Sequence, residues 1–125
     1  MTLVDASSWI EFLRGRDSEP SRRVKSLLSA GGAALCDITL VELWLGARGR
    51  VEKAALAELQ AELDIYPVDN PVWKKACLLA RRCRDKGVGA PTVDIVIAAC
   101  AAHHHLALEH CDHHFDTILP LTASL

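Results

Sequence analysis

The 125-residue chain has no lysine or arginine after Lys86. Its first 86 residues carry 14 bases and 12 acids, whereas residues 87–125 carry only Asp94, Glu109, Asp112 and Asp116. A last third with acids and no cations needs solvent, protons, a metal ion or a partner's bases to balance it. The formal net charge of −2 excludes coating of nucleic acid through charge alone. There is no C-x-x-C pair among Cys36, Cys77, Cys83, Cys100 and Cys111. Cys36, Cys77 and Cys100 stand among apolar or helix-forming neighbours, so small buried thiols kept reduced are expected rather than a disulfide framework. The longest apolar run, near residues 95–102, stops at His103, short of the ~20 residues a membrane span needs. The start, Met1–Asp5, has neither a basic region nor a following cleavage signal. A soluble protein of the cytoplasm is the expectation. No repeat, low-complexity linker or Pro/Gly-rich boundary breaks the chain, so residues 1–125 are read as one domain.

What is present is an alternation of strand-like and helix-like segments. Thr2–Asp5 is a short β-favouring run, and Ser8-Trp9-Ile10-Glu11 has the pattern of a capping box opening a helix that Gly15 stops. Arg22–Leu28 reads as helix, Ala33–Cys36 as a buried strand, and Thr39–Ala47 as a helix that Thr39 and Glu42 box. Val51–Leu63 spaces Leu56, Leu59 and Leu63 along one helical face. Ile65–Val68 is an edge strand interrupted by Pro67, and Pro71 opens a helix running to about Lys86. A helix is expected from Val93 to His104, a strand at Leu106–Glu109, and a last short strand at Leu119–Leu121. Strands alternating with helices imply an α/β fold in three layers, a central parallel sheet flanked by helices.

Ligands of such a sheet gather outside the carboxyl ends of its strands. Asp5 ends the first strand, Glu42 lies one turn into the helix after Cys36, Asp94 opens the helix after Pro91, and Asp112 follows the strand near Glu109. Taken singly, each has a structural role available as a cap, a helix-dipole partner or a turn residue. Taken together, they repel: two carboxylates ~5 Å apart cost about 3 kcal/mol at an effective dielectric of 20. Four share a pocket only with protons or a cation among them. Carboxylate oxygens suit Mg²⁺ or Mn²⁺, and phosphodiester hydrolysis is the chemistry that fits best.

Four stretches resemble the motifs of PIN-domain ribonucleases of the VapC toxin type. They are Leu3–Gly15, Ile38–Ala47, Asp94–Ala99 and the run His110-Cys111-Asp112-His113-His114-Phe115-Asp116-Thr117-Ile118. The resemblance spans essentially the whole chain and implies a PIN-like fold. It also implies a Mg²⁺- or Mn²⁺-dependent endoribonuclease, a VapB-type antitoxin and a homodimer. Carried over by position, it makes Asp5, Glu42, Asp94 and Asp112 the acidic quartet. Asp5, Asp94 and Asp112 would hold the ion directly or through water, and Glu42 would bind through water or orient the attacking water. Ser7 would support Asp5, and Asp116 would be an accessory acid. His114 departs from the family pattern, because an acid usually stands just before the Phe. If that acid tunes metal affinity, this site is expected to bind its ion more weakly or at higher pH.

All six histidines fall between His103 and His114. A zinc site with Cys111 is one reading, but three consecutive helix-end histidines point in different directions and are already favoured by the helix dipole. His113 and His114 stand beside the acids, where contact with phosphate or antitoxin competes with a plain solvated loop. Arg81, Arg82 and Arg84, with Lys74, Lys75 and Lys86, give one helix a basic face that suits either solvent or an RNA backbone. Two other functions remain open here. A phospho-receiver module needs a late lysine that this chain lacks, and a non-catalytic acidic pocket would only dock a basic antitoxin tail.

Overall fold

A computed structural model describes residues 1–125. Four strands, β1 (Thr2–Val4), β2 (Ala33–Cys36), β3 (Ile65–Tyr66) and β4 (Ala107–Glu109), form one sheet in the order β3-β2-β1-β4. Every pairing is parallel, with Leu3 opposite both Ala34 and Leu108, and Cys36 opposite Tyr66. Parallel strands are covered on both faces and read as continuous apolar runs. β2 does so, with all four residues buried.

The two-residue period of the strands sorts the core into two halves. Leu3, Ala34 and Cys36 face a cluster built from α5 (Asn70–Asp85), α6 (Thr92–His103) and α7 (His114–Ile118), including Leu79, Ile97 and Phe115. Val4, Ala33 and Leu35 face the opposite cluster, built from α1 (Ala6–Leu13), α2 (Glu19–Ser29), α3 (Asp37–Gly46) and α4 (Gly49–Glu62), with Trp9, Val24 and Leu56 at its centre. The three-layer α/β expectation therefore holds. No helix is long and apolar enough to cross a membrane.

Local expectations fail where a tertiary partner intervenes. Helix α1 starts at Ala6 with Asp5 as its N-cap, and the Ser8 hydroxyl, instead of boxing with Glu11, donates to Glu109 at 2.8 Å. Helix α3 starts at Asp37, so Thr39 lies inside its first turn and forms no box with Glu42. Helix α2 begins three residues before Arg22, where Ser18 caps it and Pro20 occupies the first turn. Leu119–Thr122 is a 3₁₀ turn and not a strand. Pro120 removes a ladder donor, and the Thr122 hydroxyl donates to Leu119 O at 2.7 Å, closing the turn on itself. All five cysteines are free, but Cys83 is buried and Cys77 exposed, the reverse of the expectation for Cys77.

Candidate active site at the carboxyl edge of the sheet

Each acid of the quartet arrives on a different element. Asp5 leaves β1 in extended conformation and caps α1, accepting from the Ser7 N–H at 3.1 Å and the Ser7 hydroxyl at 2.7 Å on the same Oδ2. The Ser7 hydroxyl also accepts from the Cys111 N–H at 3.2 Å, which ties α1 to the loop after β4. Glu42 projects from the second turn of α3, and Asp94 from the first turn of α6. In the loop after β4, Asp112 Oδ1 accepts from the His114 N–H at 3.0 Å. Asp5 and Asp94 are among the few buried polar residues, at 4% and 7% exposure. Glu42 Oε1 and Asp94 Oδ2 are buried with no hydrogen-bond partner, the condition expected of oxygens that await a cation or protons.

Glu42 and Asp94 both feel the charges of other acids of the quartet. Burial, followed by the charges of Asp5, Asp94 and Asp112, pushes Glu42 up to about 7. Burial, then Asp112 and Asp5, pushes Asp94 up to about 6, with the His114 ring pulling the other way. Burial also works against the Asp112 charge, but the N–H and ring of His114 outweigh it and hold Asp112 below the usual carboxylate range. His114 Nδ1 stands 2.9 Å from Asp112 Oδ1 and 3.5 Å from Asp94 Oδ2, aligned as a hydrogen bond with neither.

Raised carboxyl pKa values make the metal-free fold bind more protons than the unfolded chain. Its stability is therefore complete below about pH 4 for these groups and declines as pH rises through 6 and 7. Mutual repulsion enters both shifts and Glu42 is only partly buried, so the discounted cost is about 2 kcal/mol, a fall in Tm on the order of 5–10 °C. Thermal melts of metal-free protein from pH 5 to pH 8 should show this decline, and saturating Mn²⁺ should reverse it. A melting temperature that climbs over that range contradicts the account.

Other expected residues divide. Asp116 is largely exposed and lies 3.9 Å from His110 Nε2, outside the set of charges felt by Glu42 and Asp94. The α5–α6 hairpin sets the C-terminal turn of α5 beside the start of α6, with Arg81 and Arg84 exposed on it. Arg82 is spent elsewhere: its guanidinium donates to Leu121 O at 2.9 Å and Ala123 O at 2.6 Å, clamping the C-terminal segment. The acidic last third also gains a cation from outside it, because Arg23 of α2 pairs with Glu109 at 2.6 and 3.1 Å. The zinc reading through Cys111 finds no support, since Cys111 is exposed and the metal-ligating atoms that cluster are those of Asp112, His113 and His114. The expectation for His113 and His114 is contact with phosphate or antitoxin, or a solvated loop; the structure sets the His114 ring against Asp112 and Asp94 and leaves His113 exposed.

The sheet and its edge define the class: an α/β protein whose acidic pocket is assembled at the carboxyl ends of parallel strands. Residues 2–118 match the PIN domain family model, and the chain belongs to that family. It is 31% identical over 126 residues to ribonuclease VapC11 of Mycobacterium tuberculosis, covering 98% of this chain and 94% of the relative. Among solved structures it resembles FitAcB from Neisseria gonorrhoeae, with a TM-score of 0.77 and 24% identity over 98% of this chain and 93% of the other. VapBC2 from Rickettsia felis, bound to a DNA fragment from its promoter, gives a TM-score of 0.79 at 15% identity, over 96% and 93% of the two chains.

Proposed function

We propose that the chain is a VapC-type endoribonuclease toxin that uses a divalent cation, Mg²⁺ or Mn²⁺, and is neutralised by a VapB-type antitoxin. The observation that carries this reading is the convergence of Asp5, Glu42, Asp94 and Asp112 from four elements, where burial and then the neighbouring carboxylates raise the pKa of Glu42 and Asp94. The ribonuclease name of its relative VapC11 and the VapBC2 assembly among its structural neighbours support the same conclusion.

The residues fit a hard cation. Its oxygen donors are carboxylates, two of their oxygens are buried and unpartnered, and no lysine or arginine neutralises them. Asp5, Asp94 and Asp112 would hold the ion, with Ser7 fixing Asp5 in place. A bound divalent ion supplies charge neutralisation at the phosphoryl group and a lowered pKa for water. Glu42 would bind the ion through water or help orient the attacking water. Arg81 and Arg84, exposed on the last turns of α5, would contact the RNA backbone; Arg82 stays with the C-terminal segment. On α3, Val41, Trp44 and Leu45 are exposed, at 66%, 39% and 90%, and supply an apolar face for homodimer formation.

Purified protein incubated with single-stranded RNA should cleave it with Mg²⁺ or Mn²⁺, stop on addition of EDTA, and resume when excess metal is restored. Cleavage indifferent to EDTA sinks the metal assignment. No cleavage under any metal, with tight antitoxin binding intact, favours the second reading, in which the unpartnered carboxylate oxygens only receive a basic side chain of the antitoxin.

A further inference from the structure

We propose that His114 is itself a ligand of the cation, making the centre a mixed nitrogen–oxygen site that prefers Mn²⁺ to Mg²⁺. This deepens the nuclease reading and rests on it. Three observations carry it. The His114 ring nitrogen Nδ1 is in close charge contact with two acids of the quartet, 2.9 Å from Asp112 Oδ1 and 3.5 Å from Asp94 Oδ2, with no aligned hydrogen bond to either. The facing oxygen, Asp94 Oδ2, is buried and unpartnered on a residue only 7% exposed. The ligating atoms of Asp112, His113 and His114 also lie within 4.8 Å of one another.

The spacing is that of neighbouring ligands. Donors about 2.1 Å from an octahedral ion stand roughly 3 Å apart along an edge, close to the separations of Nδ1 from the two carboxylate oxygens. The backbone enforces this placement: Asp112 accepts the His114 N–H at 3.0 Å, and Phe115, fully buried, pins the next residue into the core. The backbone that carries the ring is thus fixed by contacts other than the ring's own, and the ring lies against Asp112 and Asp94. His113, on the same turn, has a side chain 86% exposed, so His114 is the histidine the pocket has recruited. Mn²⁺, though the weakest-binding of the divalent first-row transition ions, accepts an imidazole nitrogen more readily than Mg²⁺, which holds oxygen ligands and water in preference. Histidine in this position shifts selectivity without adding a fifth negative charge to a pocket that already strains to hold four.

The test uses full-length protein labelled with ¹⁵N-histidine and Mn²⁺ as the probe, read by electron spin-echo envelope modulation. Expected are nitrogen modulations from one coordinated imidazole, lost in His114→Ala although Mn²⁺ still binds, and kept in His113→Ala. In competition, His114→Asp should lower the excess of Mg²⁺ needed to displace Mn²⁺ by about 10-fold. Mn²⁺ bound in an Asp94-dependent manner without nitrogen modulation overturns the proposal and leaves the nuclease reading standing. So does modulation that persists in His114→Ala. Failure of the wild type to bind Mn²⁺, or binding untouched by Asp94→Asn, overturns the nuclease reading and this proposal with it.

Discussion

Asp94→Asn should reduce RNA cleavage at least a thousandfold, while the metal-free protein at pH 8 melts no lower than the wild type. The two halves come from one geometry. Asparagine keeps the size of the side chain in the first turn of α6, where Asp94 is buried, but removes the negative charge that faces Asp5, Glu42 and Asp112. Loss of an anionic ligand should weaken both cation binding and transition-state charge stabilisation, and three orders of magnitude corresponds to about 4 kcal/mol. On the stability side, holding Asp94 ionised at pH 8 runs against a pKa raised to about 6, so the wild type carries a penalty of the order of 1–2 kcal/mol that asparagine does not. A purely structural carboxylate would behave in the opposite way, with activity falling only as far as stability fell. Measuring cleavage rate and melting temperature on the same preparations separates the two. A folded, fully active Asp94→Asn protein would end the case for the acidic pocket as a catalytic centre.

The same reasoning extends to Glu42. Its raised pKa depends on burial and on the other three acids, so Asp94→Asn should bring Glu42 back toward its ordinary range. That coupling is observable as a shallower decline in metal-free stability between pH 5 and pH 8 in the variant. The Asp94 charge is one cause of the Glu42 shift, after burial and Asp5, so the two titrations are linked.

The quartet was legible in the sequence because each acid follows a readable boundary. Asp5 closes an apolar run, Glu42 sits a turn beyond the buried strand ending at Cys36, Asp94 comes three residues after Pro91, and Asp112 follows the strand ending at Glu109. Parallel topology then carries all four to one edge without any side-chain information. What was not legible depends on partners far away in the chain. Ser8 and Glu11 have the spacing of a capping box, but Asp5 is already the cap and Glu109, 101 residues on, takes the Ser8 hydroxyl. Arg82 has the same local pattern as Arg81 and Arg84, and only the return of the C-terminus past α5 makes it a clamp. For His114 the sequence leaves a phosphate or antitoxin contact and a solvated loop equally open, because its placement rests on the Asp112 carboxylate that accepts its N–H and on the burial of Phe115. Local pattern read the scaffold; long-range hydrogen bonds decided which polar residues were free to act.

Ser7→Ala is expected to weaken cation affinity 10- to 100-fold while leaving the cleavage rate at saturating metal within a few-fold of wild type. Ser7 touches no other acid of the quartet. Its hydroxyl donates to Asp5 Oδ2 at 2.7 Å and accepts the Cys111 N–H at 3.2 Å, so a single oxygen joins the cap of α1 to the loop that presents Asp112 and His114. Alanine leaves Asp5 with only the Ser7 N–H on that oxygen and leaves the Cys111 N–H to find solvent. Two of the segments that hold acids then lose one of their ties, leaving Ser8 and the Asp5 N–H on Glu109, and part of the cost of gathering the acids falls on metal binding. The fold itself should lose only about 1 kcal/mol, the worth of an ordinary hydrogen bond. Ser7→Thr restores the hydroxyl and should recover most of the affinity. Mn²⁺ titration by electron paramagnetic resonance, set beside cleavage rates across a metal series, distinguishes this positioning role from direct catalysis. If the rate of Ser7→Ala stays depressed a hundredfold when the site is full, Ser7 acts on the substrate and not through Asp5.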